Sequence, residues 1–178
     1  CAEAALRKWD VGGKSAQSFY EDGIRTAFAQ PIGANNAKAG DATEYIQGTS
    51  MPEPYVDVKN AEYSYDAAGQ VSVSWEDAAD DEDALLEKII TQKYIALFPL
   101  STEAWAELRR TGYPKLFPVL NPEDGDGTLD YGDIIRRVPW LPTDPQGQAI
   151  VDRSGLHALG GADFQGTRLW WDVPGPNF

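Results

Sequence analysis

The chain has 178 residues, which suggests one domain or two small ones, and 42% of them are hydrophobic, enough to build a core and to argue against wholesale disorder. Its 15 basic and 28 acidic residues give a net charge of −13, which argues against binding to the phosphate backbone of DNA or RNA. The single cysteine, Cys1, excludes an internal disulfide, and no apolar run is long enough to span a membrane.

Residues 2–29 predict a helical hairpin. Apolar residues recur at helical spacing on both sides of a break at Gly12-Gly13, and Ser15 is placed to cap the second helix. Two short helices joined by a glycine turn are the layout of a tetratricopeptide repeat (TPR). The apolar positions are Ala2, Ala5, Leu6 and Trp9 in the first helix and Phe19, Tyr20, Ile24, Ala27 and Phe28 in the second.

A single unit of this kind cannot bury its apolar face without neighbours. We therefore expect the face to be covered, either by an intramolecular rearrangement or by dimerisation.

Residues 34–62 have a loop-like composition, with a short helix predicted around 41–47. Apolar and polar residues then alternate in 63–65 and in 71–75, on either side of a turn at 66–69. This alternation predicts a small β-hairpin.

The strongest helix signal covers residues 85–98, where apolar positions take up more than half of the helix circumference and predict deep burial. Seven acids between 76 and 87 precede and enter its first turn, where carboxylates interact favourably with the helix dipole. We interpret that acidic run as structural rather than as a binding site. A further helix is predicted from a cap at Ser101 to Gly112, with Pro114 blocking its continuation.

Beyond Tyr113 the chain is irregular and holds eight of its twelve prolines. Residues 132–138 predict one strand, Asp144-Pro145 starts a short helix that runs through Val151, and the last five residues predict a loose tail. A second acidic run lies at 121–133, and an EF-hand alignment puts Pro122 at the first ligand position. We interpret it as a solvated loop rather than a calcium site.

No catalytic centre is predicted. His157 is the only histidine and no serine stands in a nucleophile-elbow pattern, so we interpret His157 as structural. Among 28 acidic residues, chance alone brings some pair of carboxylates to the separation that a glycosidase needs. A glycosidase is therefore the least favoured hypothesis. We predict no cofactor and no metal site.

Exposed aromatic rings can stack on sugars. Trp140, between two prolines, is the tryptophan that the sequence predicts to be exposed. The other five lie in apolar patterns and are predicted to be core residues: Trp9, Trp75, Trp105, Trp170 and Trp171.

Five segments, in order, resemble the SusD/RagB family. The hairpin segments 2–13 and 19–24 resemble its last TPR hairpin, and Leu86–Phe98 resembles its core helix. Three later segments are similar to its most recognisable stretch, to its Arg-Arg-x-x-Tyr-Pro region and to its carboxyl-terminal signature: Glu103–Pro114, Ile135–Pro139, and Leu159–Asp163 with Thr167–Asp172.

The resemblance implies a mainly α fold, made of a TPR-like hairpin, buried helices and long irregular loops, in which the small β-hairpin is retained. Residues 1–178 would be the carboxyl-terminal part of a SusD/RagB-like domain, with 1–30 as its last TPR-like hairpin and 31–178 as a helix- and loop-rich region. Cys1 would then lie in a TPR helix. We therefore favour a chain that begins within a domain over the alternative that Cys1 carries a lipid.

The same resemblance implies a non-catalytic nutrient-binding component on the outer-membrane surface in Bacteroidetes, anchored by an amino-terminal lipid. It would take up nutrients, usually glycans, with a SusC-type TonB-dependent transporter as its partner. Its ligand-binding residues stay unknown. The alternatives are a structural domain that docks on the transporter without touching ligand and, last, the glycosidase.

Overall fold

The computed structural model describes residues 1–30, 39–119, 127–130, 132–140 and 144–178. Throughout these ranges the regular structure is helical and no strand forms, which confirms the mainly α class. The chain divides into a helical unit, residues 1–116 with 177–178, and an irregular unit, residues 117–176. The helices are α1 (Ala2–Leu6), α2 (Ala16–Ala29), α3 (Ala39–Ile46), α4 (Glu82–Ala96), α5 (Ser101–Thr111), α6 (Pro145–Ile150) and α7 (Leu156–Leu159).

The predicted amino-terminal hairpin is formed by α1 and α2, which pack against each other. The Ser15 hydroxyl accepts a hydrogen bond from the Ser18 amide at 3.1 Å, so the predicted cap is confirmed. The first helix ends earlier than predicted, at Leu6, and Lys8 takes a left-handed φ of 63°. Trp9 consequently leaves the apolar stripe and is 66% exposed, so its assignment to the core was wrong.

The core of the helical unit is centred on α4, against which α1, α2 and α5 pack. The carboxylate of Asp81 caps α4 by accepting from the Ala84 amide at 3.0 Å, in line with the structural interpretation of the acidic run. Burial on α4 is confined to Leu85–Ile90, because its neighbours cover that stretch, and in its exposed carboxyl-terminal half Ile95 is 56% exposed. The core residues are Leu6, Tyr20, Ile24, Ile46, Trp75, Leu85, Leu86, Ile89 and Ile90.

The predicted β-hairpin does not form. Tyr65 instead makes an isolated antiparallel bridge with Tyr55. The backbone groups of residues 72–74 have hydrogen-bond partners elsewhere. The carbonyl of Ser72 accepts from the Lys88 ammonium, and the carbonyl of Val73 accepts from the Tyr20 hydroxyl. The Ser74 amide donates to the Gly48 carbonyl. Because tertiary partners take these backbone groups, no ladder is left for a second strand.

The helix predicted after Ser101 is α5, in which Ser101 is the first residue and not the cap. It ends at Gly112, whose φ of 72° is the left-handed conformation that favours glycine at this position. The end of the chain is not a loose tail. Asn177 donates to the Thr111 carbonyl at 3.2 Å, and Arg7 donates to the Asn177 carbonyl at 2.8 Å.

The irregular unit is fixed by polar contacts. Asp144 caps α6 by accepting from the Gly147 amide at 2.7 Å, and a π-helical turn at Val151–Gly155 joins α6 to α7. The strand predicted over 132–138 is wrong, since the amides of Arg136 and Arg137 both donate to the single carbonyl of Gln165 and no ladder forms. Most of the predicted acidic loop at 121–133 lies outside the described residues.

Candidate binding groove

An apolar groove of about 700 Å³ lies beside α1, α2 and the carboxyl-terminal half of α4. Apolar side chains of the α1–α2 hairpin lie along this groove. Its lining includes Phe19, Gly23, Ala27, Phe28, Ile89 and Ile95.

The shape of the groove follows from side-chain size on α2. Gly23 and Ala27 lie four residues apart and so share one face of the helix. A Cβ atom added at Gly23 would meet no other atom within 4 Å, so the space above the helix is open there. Because these residues have small side chains or none, another helix could approach the backbone of α2 closely at this position.

The charged side chains on the lining are neutralised by ion pairs. Glu3 accepts from Arg110 at 2.6 Å and from Arg7 at 3.0 Å. Lys93 pairs with Glu107 at 3.1 Å, and Asp22 lies 2.8 Å from a lysine ammonium. Burial raises the pKa of the Glu3 carboxyl, but the hydrogen bonds and charges of Arg110 and Arg7 outweigh it, so the net shift is downwards. The groove therefore suits an apolar helix face better than a charged small molecule.

A buried polar network lies on α4, outside the lining of the groove. Lys88 is 1% exposed, and its ammonium donates to the carbonyl and the hydroxyl of Ser72 at 2.8 and 3.1 Å. The Ser72 hydroxyl in turn donates to Asp77 at 2.6 Å. Burial lowers the pKa of Lys88, against the opposing charges of Asp77 and Glu87. Because the network is closed and paired, it holds the 72–77 segment on α4 rather than offering a reactive group.

The residues that the sequence singled out as candidate site residues lie in different parts of the structure. His157 is exposed on α7. Trp140 is exposed as predicted, but the Arg137 guanidinium lies 4.6 Å from its ring centre, so part of the ring is already in contact. Trp170 is 88% exposed, so its assignment to the core was wrong. No cluster of His, Cys, Asp or Glu suited to a metal occurs among the described residues.

The remaining tryptophans differ in burial. Trp75 is buried and packs on Tyr20 with ring centres 5.4 Å apart, as its core assignment requires. Trp105 is half-buried, with the Arg109 guanidinium 3.6 Å from its ring centre, and Trp171 is half-buried as well. Across the described ranges, no helix is long and apolar enough to cross a bilayer.

The chain belongs to the SusD/RagB family of outer-membrane lipoproteins, because residues 1–172 match that SusD-like family. No curated protein sequence matches this chain. Several solved structures match it. A chitin-binding SusD homologue from Flavobacterium johnsoniae is 42% identical with a TM-score of 0.84, over 99% of this chain and 35% of that one.

Two further SusD homologues have the same fold. The one from Bacteroides vulgatus is 39% identical with a TM-score of 0.80, over 99% of this chain and 34% of its own. The one from Bacteroides thetaiotaomicron is 34% identical with a TM-score of 0.82, over 98% of this chain and 36% of its own. The chain thus spans about a third of the length of these relatives.

Proposed function

We propose that this chain is the carboxyl-terminal part, residues 1–178, of a cell-surface nutrient-binding lipoprotein whose ligand is an oligosaccharide. The observation that carries the proposal is the 42% identity to a chitin-binding SusD homologue over 99% of the chain. Family membership over residues 1–172 supports an outer-membrane location. Residues 1–30 would be the last TPR-like hairpin, and 31–178 the helix- and loop-rich region.

The proposed role is binding without catalysis. The sequence offers no nucleophile-elbow serine, and its one histidine, His157, is exposed on a short helix. The polar network of Lys88, Ser72 and Asp77 is buried and internally paired. A SusC-type TonB-dependent transporter is the proposed partner, and a lipid at the amino terminus of the complete protein the proposed anchor.

The groove supports a place within a longer protein. The matched relatives are about three times as long as this chain, and one TPR-like hairpin needs neighbours. We propose that a further helical repeat of the complete protein covers the groove. The chain alone should then bind an apolar dye or dimerise, whereas the complete protein should do neither. A monomeric chain that binds no dye would contradict this.

The glycan proposal is tested by titration calorimetry of the complete, unlipidated protein with chitohexaose, xylohexaose and maltohexaose. Binding of at least one oligosaccharide without release of reducing ends is the expected result. Hydrolysis of the bound sugar would overturn the non-catalytic role. Failure to bind any of the three, in a protein that still copurifies with its transporter, would favour the structural docking domain instead.

A further inference from the structure

Apolar packing holds the carboxyl end of α1 only weakly. Leu6 is the one buried residue of that helix, and the turn after it is exposed, with Trp9 66% in water. Lys8, in the same turn, takes a φ of 63°, a conformation that is unfavourable for a residue with a Cβ. The position of α1 matters, because Ala2 and Glu3 line the groove. Polar contacts must therefore help to keep this end of the helix in place.

The last two residues of the chain, Asn177 and Phe178, contact this end of α1. The Arg7 guanidinium donates to the Asn177 carbonyl at 2.8 Å and lies 4.7 Å from the ring centre of Phe178. At that distance a cation is attracted to the face of an aromatic ring. The same guanidinium donates to the Glu3 carboxylate at 3.0 Å. Arg7 therefore connects the end of the chain to a side chain that lines the groove.

Asn177 also contacts the end of α5. Its side-chain amide donates at 3.2 Å to the carbonyl of Thr111, the last residue of that helix. The last four carbonyls of a helix have no partner within it, so Asn177 supplies a donor that α5 itself lacks. Asn177 therefore links α1, through Arg7, to α5, through Thr111. Glu3 and Arg110 link the same two helices directly, at 2.6 Å.

We propose that Asn177 and Phe178 form a clasp that holds the carboxyl end of α1 in place and so keeps α1 fixed as one wall of the groove. Because the clasp acts on a weakly packed helix end, its contacts set how often that end opens. The burial of Leu6 and the pair of Glu3 with Arg110 remain when the clasp is removed. Loss of the clasp should therefore make α1 open more often without unfolding the protein. This role does not depend on what covers the groove.

Hydrogen exchange distinguishes a local clasp from a general contribution to stability. An amide exchanges when its segment opens, and a segment can open locally while the rest of the protein stays folded. The amides of Arg7, Lys8 and Trp9 donate to carbonyls of α1 at 2.9, 3.0 and 2.9 Å, so their exchange measures opening of this helix end. The amides of Leu85–Ile90 measure global unfolding, because these residues lie in the core.

The test is hydrogen exchange of the complete protein, without ligand, measured by mass spectrometry in peptides that cover residues 4–9 and 85–90. Asn177→Ala should speed exchange in residues 4–9 about two- to tenfold, the size expected for one lost hydrogen bond. Phe178→Ala should speed it about two- to fivefold, for one lost cation–π contact. The double variant should speed it about tenfold or more, since both contacts are lost. Exchange in residues 85–90 should match the parent in all three variants.

Two controls accompany these variants. Phe178→Tyr keeps the ring and should exchange as the parent does. Phe164→Ala removes a phenylalanine of similar exposure, 42% against 45%, from the irregular unit and should leave residues 4–9 unchanged. The clasp is overturned if the double variant exchanges within about twofold of the parent in residues 4–9. It is also overturned if exchange rises equally in residues 85–90, or if Phe164→Ala speeds residues 4–9 as much as Phe178→Ala does.

Discussion

In the helical unit, buried apolar side chains from α1, α2, α3 and α4 meet in one core, with Leu86 and Ile90 fully enclosed. In the irregular unit, residues 117–176, Leu129 is the one buried hydrophobic side chain among those described. The buried groups there are charged instead: Asp172 pairs with Arg136 and Arg168, and Arg137 pairs with Asp163. The first unit is held by burial of apolar surface, and the second by ion pairs and backbone hydrogen bonds.

The difference teaches how an irregular backbone is specified. Apolar packing needs a periodic pattern, which a helix provides and a proline-rich segment does not. A buried carboxylate and its arginines demand particular positions instead, because a buried charge left without a partner is strongly destabilising. Asp163 shows this, since it pairs with Arg137 and also accepts from the Trp140 amide at 3.1 Å.

The largest effect is expected from truncating the core of the helical unit. Leu86→Ala should reduce the free energy of unfolding by about 3–5 kcal/mol, because the site is fully buried and a cavity remains. Ile95→Ala, on the exposed half of the same helix, is the matched control and should cost less than about 1 kcal/mol. Urea denaturation followed by circular dichroism measures both. Equal costs would contradict the burial assigned to α4.

Removing one charge should be the most damaging change in the irregular unit. Asp172→Asn should cost about 2–3 kcal/mol, since it weakens charged hydrogen bonds to Arg136 and to Arg168, the latter 2.5 Å away. Hydrogen exchange should become faster in residues 132–140 and 167–172, with α4 as the internal reference.

Asp152→Asn is the control for this change. Asp152 is exposed and accepts a side-chain hydrogen bond from Gln148, so its exchange pattern should match the parent. If Asp172→Asn leaves exchange unchanged in the irregular unit, ion pairs do not hold that unit.

The ion pairs of Glu3 predict a loss of stability in acid. The pKa of Glu3 is lower in the folded chain than in the unfolded one, so the unfolded state takes up the proton first as the pH falls. The stabilisation is complete above the unfolded pKa, near pH 4.3, and is lost as the pH drops through the folded value. Glu3→Gln should cost about 1–2 kcal/mol at neutral pH and nothing in strong acid.

Thermal melts of the parent and of Glu3→Gln, from neutral pH down into that acid range, measure this difference. Arg25→Gln serves as a control, because Arg25 pairs on the surface of α2 with Glu21 and Asp22, away from Glu3. A constant gap between parent and Glu3→Gln at every pH would show that the carboxylate charge plays no part.

The smallest expected effects come from two glycines and have opposite signs. Gly112→Ala should destabilise by about 1 kcal/mol, because the φ of 72° is unfavourable for a residue with a Cβ. Gly23→Ala should stabilise by up to about 1 kcal/mol, because Gly23 is inside α2 and its Cβ would meet open space. Denaturant midpoints of both variants give the signs. In the complete protein the gain at Gly23 should vanish if another helix covers the groove.

Helices and caps were the parts predictable from the sequence. Ser15, Asp144 and Gly112 were recognised because capping depends on neighbours a few residues away. That the apolar face of the hairpin is covered, by rearrangement or by dimerisation, stays a prediction, since one repeat cannot cover itself. The bridge between Tyr55 and Tyr65 was not recognised, because the alternation over 63–65 and 71–75 also fits a β-hairpin, and Tyr55 lies outside that pattern.

By itself, the sequence determined the mainly α class, the family and the caps at Ser15, Asp144 and Gly112, because those depend on local periodicity and on residues a few positions away. The tertiary structure decided which apolar residues are buried. Trp9 and Trp170 follow apolar patterns and lie in water, while Lys88 is enclosed. The physical reason is that periodicity places a residue on a face, but only the neighbouring elements determine whether that face is covered, and where a backbone group finds its hydrogen-bond partner.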